Sequence, residues 1–159
     1  GDVGNPNLAE VLTTETNGTV STPKQSGFRA ERATTHQGIS DDSATTLICN
    51  SEIYDIQDEY NASTGIFTAK NAGKYTFSAG IFWEENGIGN RRVYMFKNSS
   101  IVAEMDIETI QGSPSILVAS TEVNLAVSDT VKIQVYQNSG GNLDAEALPR
   151  TFFAGHKIA

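Results

Sequence analysis

TGIFTAKNAGKYTFSAGIFW runs from Thr64 to Trp83. From Gly73 onward it alternates with a period of two, which is the signal of a half-buried strand. Tyr75, Phe77, Ala79, Ile81 and Trp83 fall on one parity, and Phe82 falls on the other. A sheet in an ordinary sandwich has one dry face and one wet face. Apolar groups on both parities mean that the second face is covered too, either by the chain's own loops or by another subunit. The turn NAGK before the strand calls for a glycine at Gly73, where other residues resist the backbone angle.

The same period extends over most of the chain. Strands are expected at Gly27 to Ala33, Ala44 to Asn50, Ile53 to Ile56, Ile66 to Lys70, Gly73 to Trp83 and Arg91 to Lys97. Four more follow at Ser100 to Ile107, Ile116 to Ala126, Thr130 to Asn138 and Thr151 to Ile158. Turn signals rich in Gly, Asn, Ser and Pro separate them. Many short strands with no helical pattern between them argue an all-β sandwich or jelly roll. Two kinds of strand stand out. Val131, Ile133 and Val135 alternate cleanly with Lys132 and Gln134, whereas RRVYMF (91–96) and TFFAGHKI (151–158) carry apolar groups on both parities. That contrast predicts one sheet facing solvent and another packed against a neighbouring subunit.

The amino-terminal residues read differently. NPNLAEVL, Asn5 to Leu12, carries a helix start and the apolar set Leu8, Val11 and Leu12. About two turns are too short to be stable alone. A linker-like stretch, Thr13 to Gly27, follows. The expected organisation is a stem segment and linker over 1–26 and one domain over 27–159.

Length and composition are consistent with this. A chain of 159 residues buries about 70% of its unfolded surface, enough for a core without metal or disulfide. The net charge of −8 opposes contact with nucleic acid or an anionic membrane. No apolar run approaches the ~18 residues of a membrane helix. Cys49 is the single cysteine, so no disulfide forms within the chain, and a buried hydrophobic role suits its strand-like surroundings.

The residues Asp55, Tyr60, Phe67, Gly73, Tyr75 and Phe77 reproduce the spacing of a known signature, D-x4-Y-x6-F-x5-G-x-Y-x-F. The stretch resembles C1q-like globular domains, relatives of the tumour necrosis factor fold. The carboxy-terminal TFFAGHKI is similar to the family's closing strand through Phe153, Ala154 and Gly155, with His156 where the family has an aromatic. VNLAVSDTVKIQV (123–135) and SGFRAERA (26–33) resemble two further family segments. Cys49 and Ala79 stand where the family prefers aromatics. The resemblance implies a ten-stranded jelly roll that assembles as a homotrimer, with one sheet lining the three-fold axis. It implies a non-enzymatic binding head, extracellular and commonly carried on a stalk. Asp55 is read as a turn acceptor for backbone N–H groups. The amino-terminal NPNLAEVLTTETNGT also resembles segments that precede terminal domains of bacteriophage tail fibres, which suggests a cell-surface or virion fibre head.

Catalytic chemistry is sparse. His36 lies in a polar loop and His156 in the last strand, and neither has a local nucleophile or orienting acid. The neighbouring carboxylates Glu84 and Glu85, Asp41 and Asp42, Asp58 and Glu59 do not supply the set separation of a glycosidase pair. Asp41, Asp42 and Asp144 are loop carboxylates that could serve calcium, although no dense calcium loop is present and no cofactor is expected. Binding therefore falls to loops. Glu84, Glu85, Asn86, Arg91, Arg92, Asn142 and Asp144 are the expected contacts to a cell-surface protein or glycan. Tyr94, Phe96, Phe82, Trp83 and His156 are the expected trimer contacts. The alternatives are a structural trimerisation cap of a fibre and a secreted C1q/tumour necrosis factor-like ligand.

Overall fold

The computed structural model describes residues 13–14, 16, 18, 20–21, 24–110, 115–147 and 149–159. The expected helical turn over Asn5 to Leu12 lies outside the described residues. In chain order the strands are β1 (Thr13–Thr14), β2 (Val20–Ser21), β3 (Gly27–Glu31), β4 (Gln37–Ile39), β5 (Thr45–Thr46), β6 (Ser51–Asp55), β7 (Tyr60–Asn61) and β8 (Ile66–Thr68). They continue as β9 (Gly73–Phe82), β10 (Asn90–Lys97), β11 (Ser100–Glu108), β12 (Ile116–Leu125), β13 (Thr130–Gln137), β14 (Leu143–Ala145) and β15 (Phe152–Lys157). The fold is an all-β jelly-roll sandwich. One sheet has the order β12-β9-β15-β3-β6; the other has the order β11-β10-β13-β8-β7, with β5 also paired to β13. Every pairing is antiparallel.

From Tyr75 onward the core-facing parity of β9 is dry: Tyr75, Phe77, Ala79 and Ile81 are buried, as is Trp83 just beyond its end. Val93 and Met95 of β10 and Val131, Ile133 and Val135 of β13 face them from the other sheet. An aromatic cluster joins the two sheets. Phe28 of β3 stacks on Tyr60 at 4.9 Å and on Phe67 at 5.2 Å, and meets Phe153 of β15 edge-on at 5.0 Å. Phe77 of β9 reaches both Phe67 and Phe153. The cluster leaves no room beside Gly155, where a Cβ would stand 2.4 Å from the Phe77 ring.

Side chains replace the ladder where sequence pattern suggests a longer strand. Only Thr45–Thr46 of the expected strand from Ala44 to Asn50 is a strand. Beyond it the Ile48 N–H donates to Gln37 Oε1 and the Cys49 N–H donates to the Tyr60 hydroxyl. The Asp55 carboxylate accepts from the N–H groups of Gln57, Glu59 and Tyr60 and so closes the turn after β6. Buried Glu59 in turn accepts from the Ser26 hydroxyl and from the Lys70 N–H.

The grouping of strands differs from the sequence expectation. β10, apolar on both parities, lies in the same sheet as the cleanly alternating β13. β12, which alternates, lies beside β9. On the outward face of β10 and β13, Tyr94 and Phe96 are half-buried by their own neighbours. Lys132 stands 5.5 Å over the Phe96 ring and Arg92 stands 5.2 Å over Tyr136. Long cationic side chains thus cover apolar rings here without a second subunit.

Cys49 is fully buried, and burial pushes its thiol up to about 12. The Tyr60 phenol, which donates to Cys49 O, is likewise raised by burial. Both groups release their protons more readily in the unfolded chain, from ordinary values of 9.0 and 10.0. Their contribution to stability is therefore complete below pH 9 and lost as pH rises towards 12. Thermal unfolding should show a falling midpoint over that interval, less steep in Cys49→Val; an unchanged slope would contradict the assignment. Gly155→Ala should destabilise the domain by about 1–3 kcal/mol, read as a lower urea midpoint, and an unchanged midpoint would reject the close packing described.

Candidate functional site

Two three-residue strands build one end of the sandwich. β14 pairs with β4, setting Leu143 opposite Ile39 and Asp144 opposite Gly38. This pair lies against the end of β9: Trp83 bridges to Ala145, the Glu84 N–H donates to Asp144 O at 2.9 Å, and the Glu146 N–H donates to Phe82 O at 2.8 Å. Leu143 and Ala145 are buried on the core side. The intervening Asp144 and the flanking Glu84 and Glu146 are thereby left to face the same space.

The result is a shallow pocket of about 190 Å³ lined by His36, Glu84, Asp144 and Glu146. His36 is fixed in its tautomer, because its Nδ1 accepts from the Ala147 N–H at 3.0 Å and so leaves the ring proton on Nε2. Arg32 donates to His36 O at 3.0 Å and holds the loop from below. Three carboxylates around one opening create a negative potential that favours cationic groups on a partner. Among the described residues, no three His, Cys, Asp or Glu side chains are arranged to hold a metal ion.

Of the loop residues expected to bind, Glu84 and Asp144 share this pocket. Asn142 packs its amide over Gly38 on the same strand pair. Glu85 is exposed on the loop that continues from Glu84. Asn86 spends its polar groups locally: Oδ1 accepts from the Ile88 N–H and its carbonyl accepts from Arg91. Arg91 is fully buried and offers nothing to a ligand directly. Arg92 lies on the outward face of β10 and pairs with Asp106 at 2.7 Å, away from the pocket residues. The calcium candidates do not converge. Asp41 accepts from the Gly140 N–H and Asp42 from the Tyr136 hydroxyl, while Asp144 stands in the pocket with His36. Cys49, whose thiol is raised by burial, is the reverse of an activated nucleophile.

The residues expected at a trimer contact do not share one face. Trp83 is fully buried within the chain and presents no surface. Tyr94 and Phe96 belong to the β10 sheet, whereas Phe82 and His156 belong to the β9 and β15 sheet. Phe82 is only 7% exposed, because the Arg150 guanidinium lies 4.0 Å over its ring. Beside it, Gly80 gives way to the ring of Phe152, whose Cε1 is 2.5 Å from where a Cβ would stand. The chain's own carboxy-terminal segment therefore covers much of the second parity of β9. What stays open on this face flanks that segment. Ile116 and Val118 of β12 are 50% and 53% exposed, and Tyr54 and Ile56 beside β3 are 48% and 49% exposed. Between them the outward positions are mixed: Ser120, Ser78 and Ala154 are small, whereas Arg29, between Ala154 and Tyr54, lies 4.3 Å over the Phe152 ring and pairs with Glu31 at 2.9 Å. Sequence reading missed Ile116, Val118, Tyr54, His36 and Glu146. The β12 positions had a clean alternating signal, Ile116 and Val118 against Leu117 and Ala119, that a two-sided reading could have used.

Comparison with curated protein sequences gives no match. Solved structures give fold relatives at low identity. The globular domain of zebrafish complement 1qA protein superposes with a TM-score of 0.62 at 17% identity, over 85% of this chain and 98% of that one. Eiger TNF from S. frugiperda gives 0.67 at 10% identity, over 86% and 94%. Murine APRIL gives 0.63 at 12% identity, over 85% and 100%. At such identities they establish the shared jelly roll alone. A family model described as the C1q domain matches residues 27–158, most of the sequence, and the chain therefore belongs to the C1q domain family.

Proposed function

We propose that the chain is a non-enzymatic, homotrimeric recognition head, carried extracellularly at the end of a fibre or stalk. One observation supports trimer formation above the others: the β12-β9-β15-β3-β6 sheet leaves large apolar residues open at both margins of its outward face. Ile116, Val118, Tyr54 and Ile56 are each about half exposed in the single chain. Exposed apolar area of this kind marks an interaction surface. Ser120, Ser78 and Ala154 are small, and they let a neighbouring subunit approach closely along β12, β9 and β15. On the opposite sheet Lys132 and Arg92 shield the rings of Phe96 and Tyr136, and Ile101 beside Phe96 is half exposed.

The recognition end is the one built by loop 84–89 and the β4–β14 pair. Its acidic pocket and its exposed loop residues Glu84 and Glu85 suit a cell-surface protein or glycan bearing cationic groups. Three copies on one rigid head would raise avidity without adding contacts to any single site. Placement of the head on a cell or a virion rests on the resemblance of the amino-terminal segment to fibre proteins.

Light scattering on a size-exclusion column tests assembly. The wild-type chain should elute as a trimer, and Val118→Asp should raise the dissociation constant about thirtyfold or more. Tyr94→Asp should leave the trimer intact. A monomeric wild type, or dissociation by Tyr94→Asp and not by Val118→Asp, would overturn the reading.

A further inference from the structure

Arg91 is the second residue of β10; its side chain is turned inward and it is fully buried. Among the described residues its guanidinium meets no carboxylate. It hydrogen-bonds three backbone carbonyls, all from the segment that precedes it. Nη1 donates to Ile88 O at 3.0 Å and to Asn90 O at 3.1 Å, and Nη2 donates to Asn86 O at 2.9 Å. The guanidinium carbon lies 5.8 Å from the centre of the Trp83 ring, which is itself fully buried. Among the described residues, neither Arg91 Nε nor Trp83 Nε1 has a hydrogen-bond acceptor.

A buried cation without an anionic partner is expensive, and an apolar side chain of similar volume would cost less. A guanidinium adds one thing that an apolar group lacks: a planar fork that reaches several carbonyls at once. Here all the carbonyls belong to the loop between β9 and β10 or to its junction with β10. Other ties hold the two ends of this loop: the Glu84 N–H donates to Asp144 O at 2.9 Å, and the Asn90 N–H donates to Asn138 Oδ1 at 2.6 Å. Asn86 Oδ1 accepts from the Ile88 N–H, and Gly89 O accepts from both the N–H and the hydroxyl of Thr109. With its underside fastened, the loop still exposes Ile88 to the extent of 64%.

We propose that Arg91 is a positioning residue that holds loop 84–89 in one preformed conformation, presenting Ile88, Glu84 and Glu85 to the partner. It contacts no partner itself. The loop then binds without an ordering cost, which is how preorganisation raises affinity. This inference rests on the reading of that loop as part of the recognition end.

Trp83 is the only tryptophan in the chain and so reports on its neighbour Arg91 without a label. The experiment compares the full wild-type chain with Arg91→Met, Arg91→Lys and Asn86→Ala, by acrylamide quenching of Trp83 and by amide hydrogen exchange. Arg91→Met should speed exchange across 84–90 about tenfold or more and raise the quenching of Trp83, with amides of β9 and β12 unchanged. Arg91→Lys should restore part of the protection, since an ammonium can meet one or two of the carbonyls. Asn86→Ala, which spares the carbonyls, should leave Trp83 shielded. Wild-type exchange in 84–90 as fast as in a free peptide would overturn the proposal. So would a folded Arg91→Met with unchanged protection, or release of the loop by Asn86→Ala as complete as by Arg91→Met. If Arg91→Met fails to fold, Arg91→Lys decides by the same two readouts. None of these measurements needs a partner. A rigid, Arg91-dependent loop whose Glu84→Lys variant binds cells as the wild type does would remove the recognition reading and leave the positioning role intact.

Discussion

Phe28 sits where the two sheets meet, and the packing of both depends on it. It comes from β3, in the sheet that also supplies Phe77 and Phe153. It stacks on Tyr60 and Phe67 from the opposite sheet. Each such ring pair adds about 0.5–1.5 kcal/mol beyond the area it buries. Geometry constrains the cluster more tightly than energy does. Gly155 must lack a side chain for the Phe77 ring to fit, and Tyr60 must reach Cys49 with its hydroxyl. Tyr60 therefore links the aromatic centre to the irregular segment after β5, and Asp55 fixes the turn that delivers Tyr60.

With the interior fixed in this way, both outward faces lay cations over aromatic rings. On the β10 face, Arg92 and Lys132 lie across the rings of Tyr136 and Phe96, so apolar surface and charge neutralise one another's exposure within one chain. On the β9 face, the segment through Arg150 and Phe152 covers Phe82 and Gly80 but goes no further. Ile116 and Val118 remain open on one side of that cover and Tyr54 and Ile56 on the other. The apolar residue on the second parity of β9, Phe82, is thus covered within the chain, and the open apolar residues of this face lie on the strands at its two edges. At the loop end, buried Arg91 and the β4–β14 pair turn connecting segments into a defined surface. In the function proposed above, the jelly roll supplies rigidity, one sheet face assembly, and one end contact.

Period-two alternation made the long strands legible, because their core-facing residues are large and their ends carry Gly, Asn and Ser turns. The signature residues were legible for the same reason: Phe67, Tyr75, Phe77 and Phe153 must meet in three dimensions, which constrains their spacing in sequence. Sheet membership was not. Phe96 has the same apolar signature as Phe82, yet one ring is covered by Lys132 of β13 and the other by Arg150. Such cover comes from residues far apart in sequence. The pocket was only half legible for a related reason. Glu84 and Asp144 stood out as loop residues, but His36 and Glu146 join them only through β4 and β14, which are too short to show a period. Arg91 looked like a surface cation, because a charge at the start of a strand normally is one.

Hydroxyl-radical footprinting of the wild-type assembly tests the division between the two faces most directly. Ile116, Val118 and Tyr54 should be protected well beyond what their exposure in a single chain allows, while Tyr94, Phe96 and Tyr136 should label as that exposure predicts. Free labelling of Ile116, Val118 and Tyr54, with protection of Tyr94 and Phe96 instead, would contradict the assignment of the β9 face to assembly.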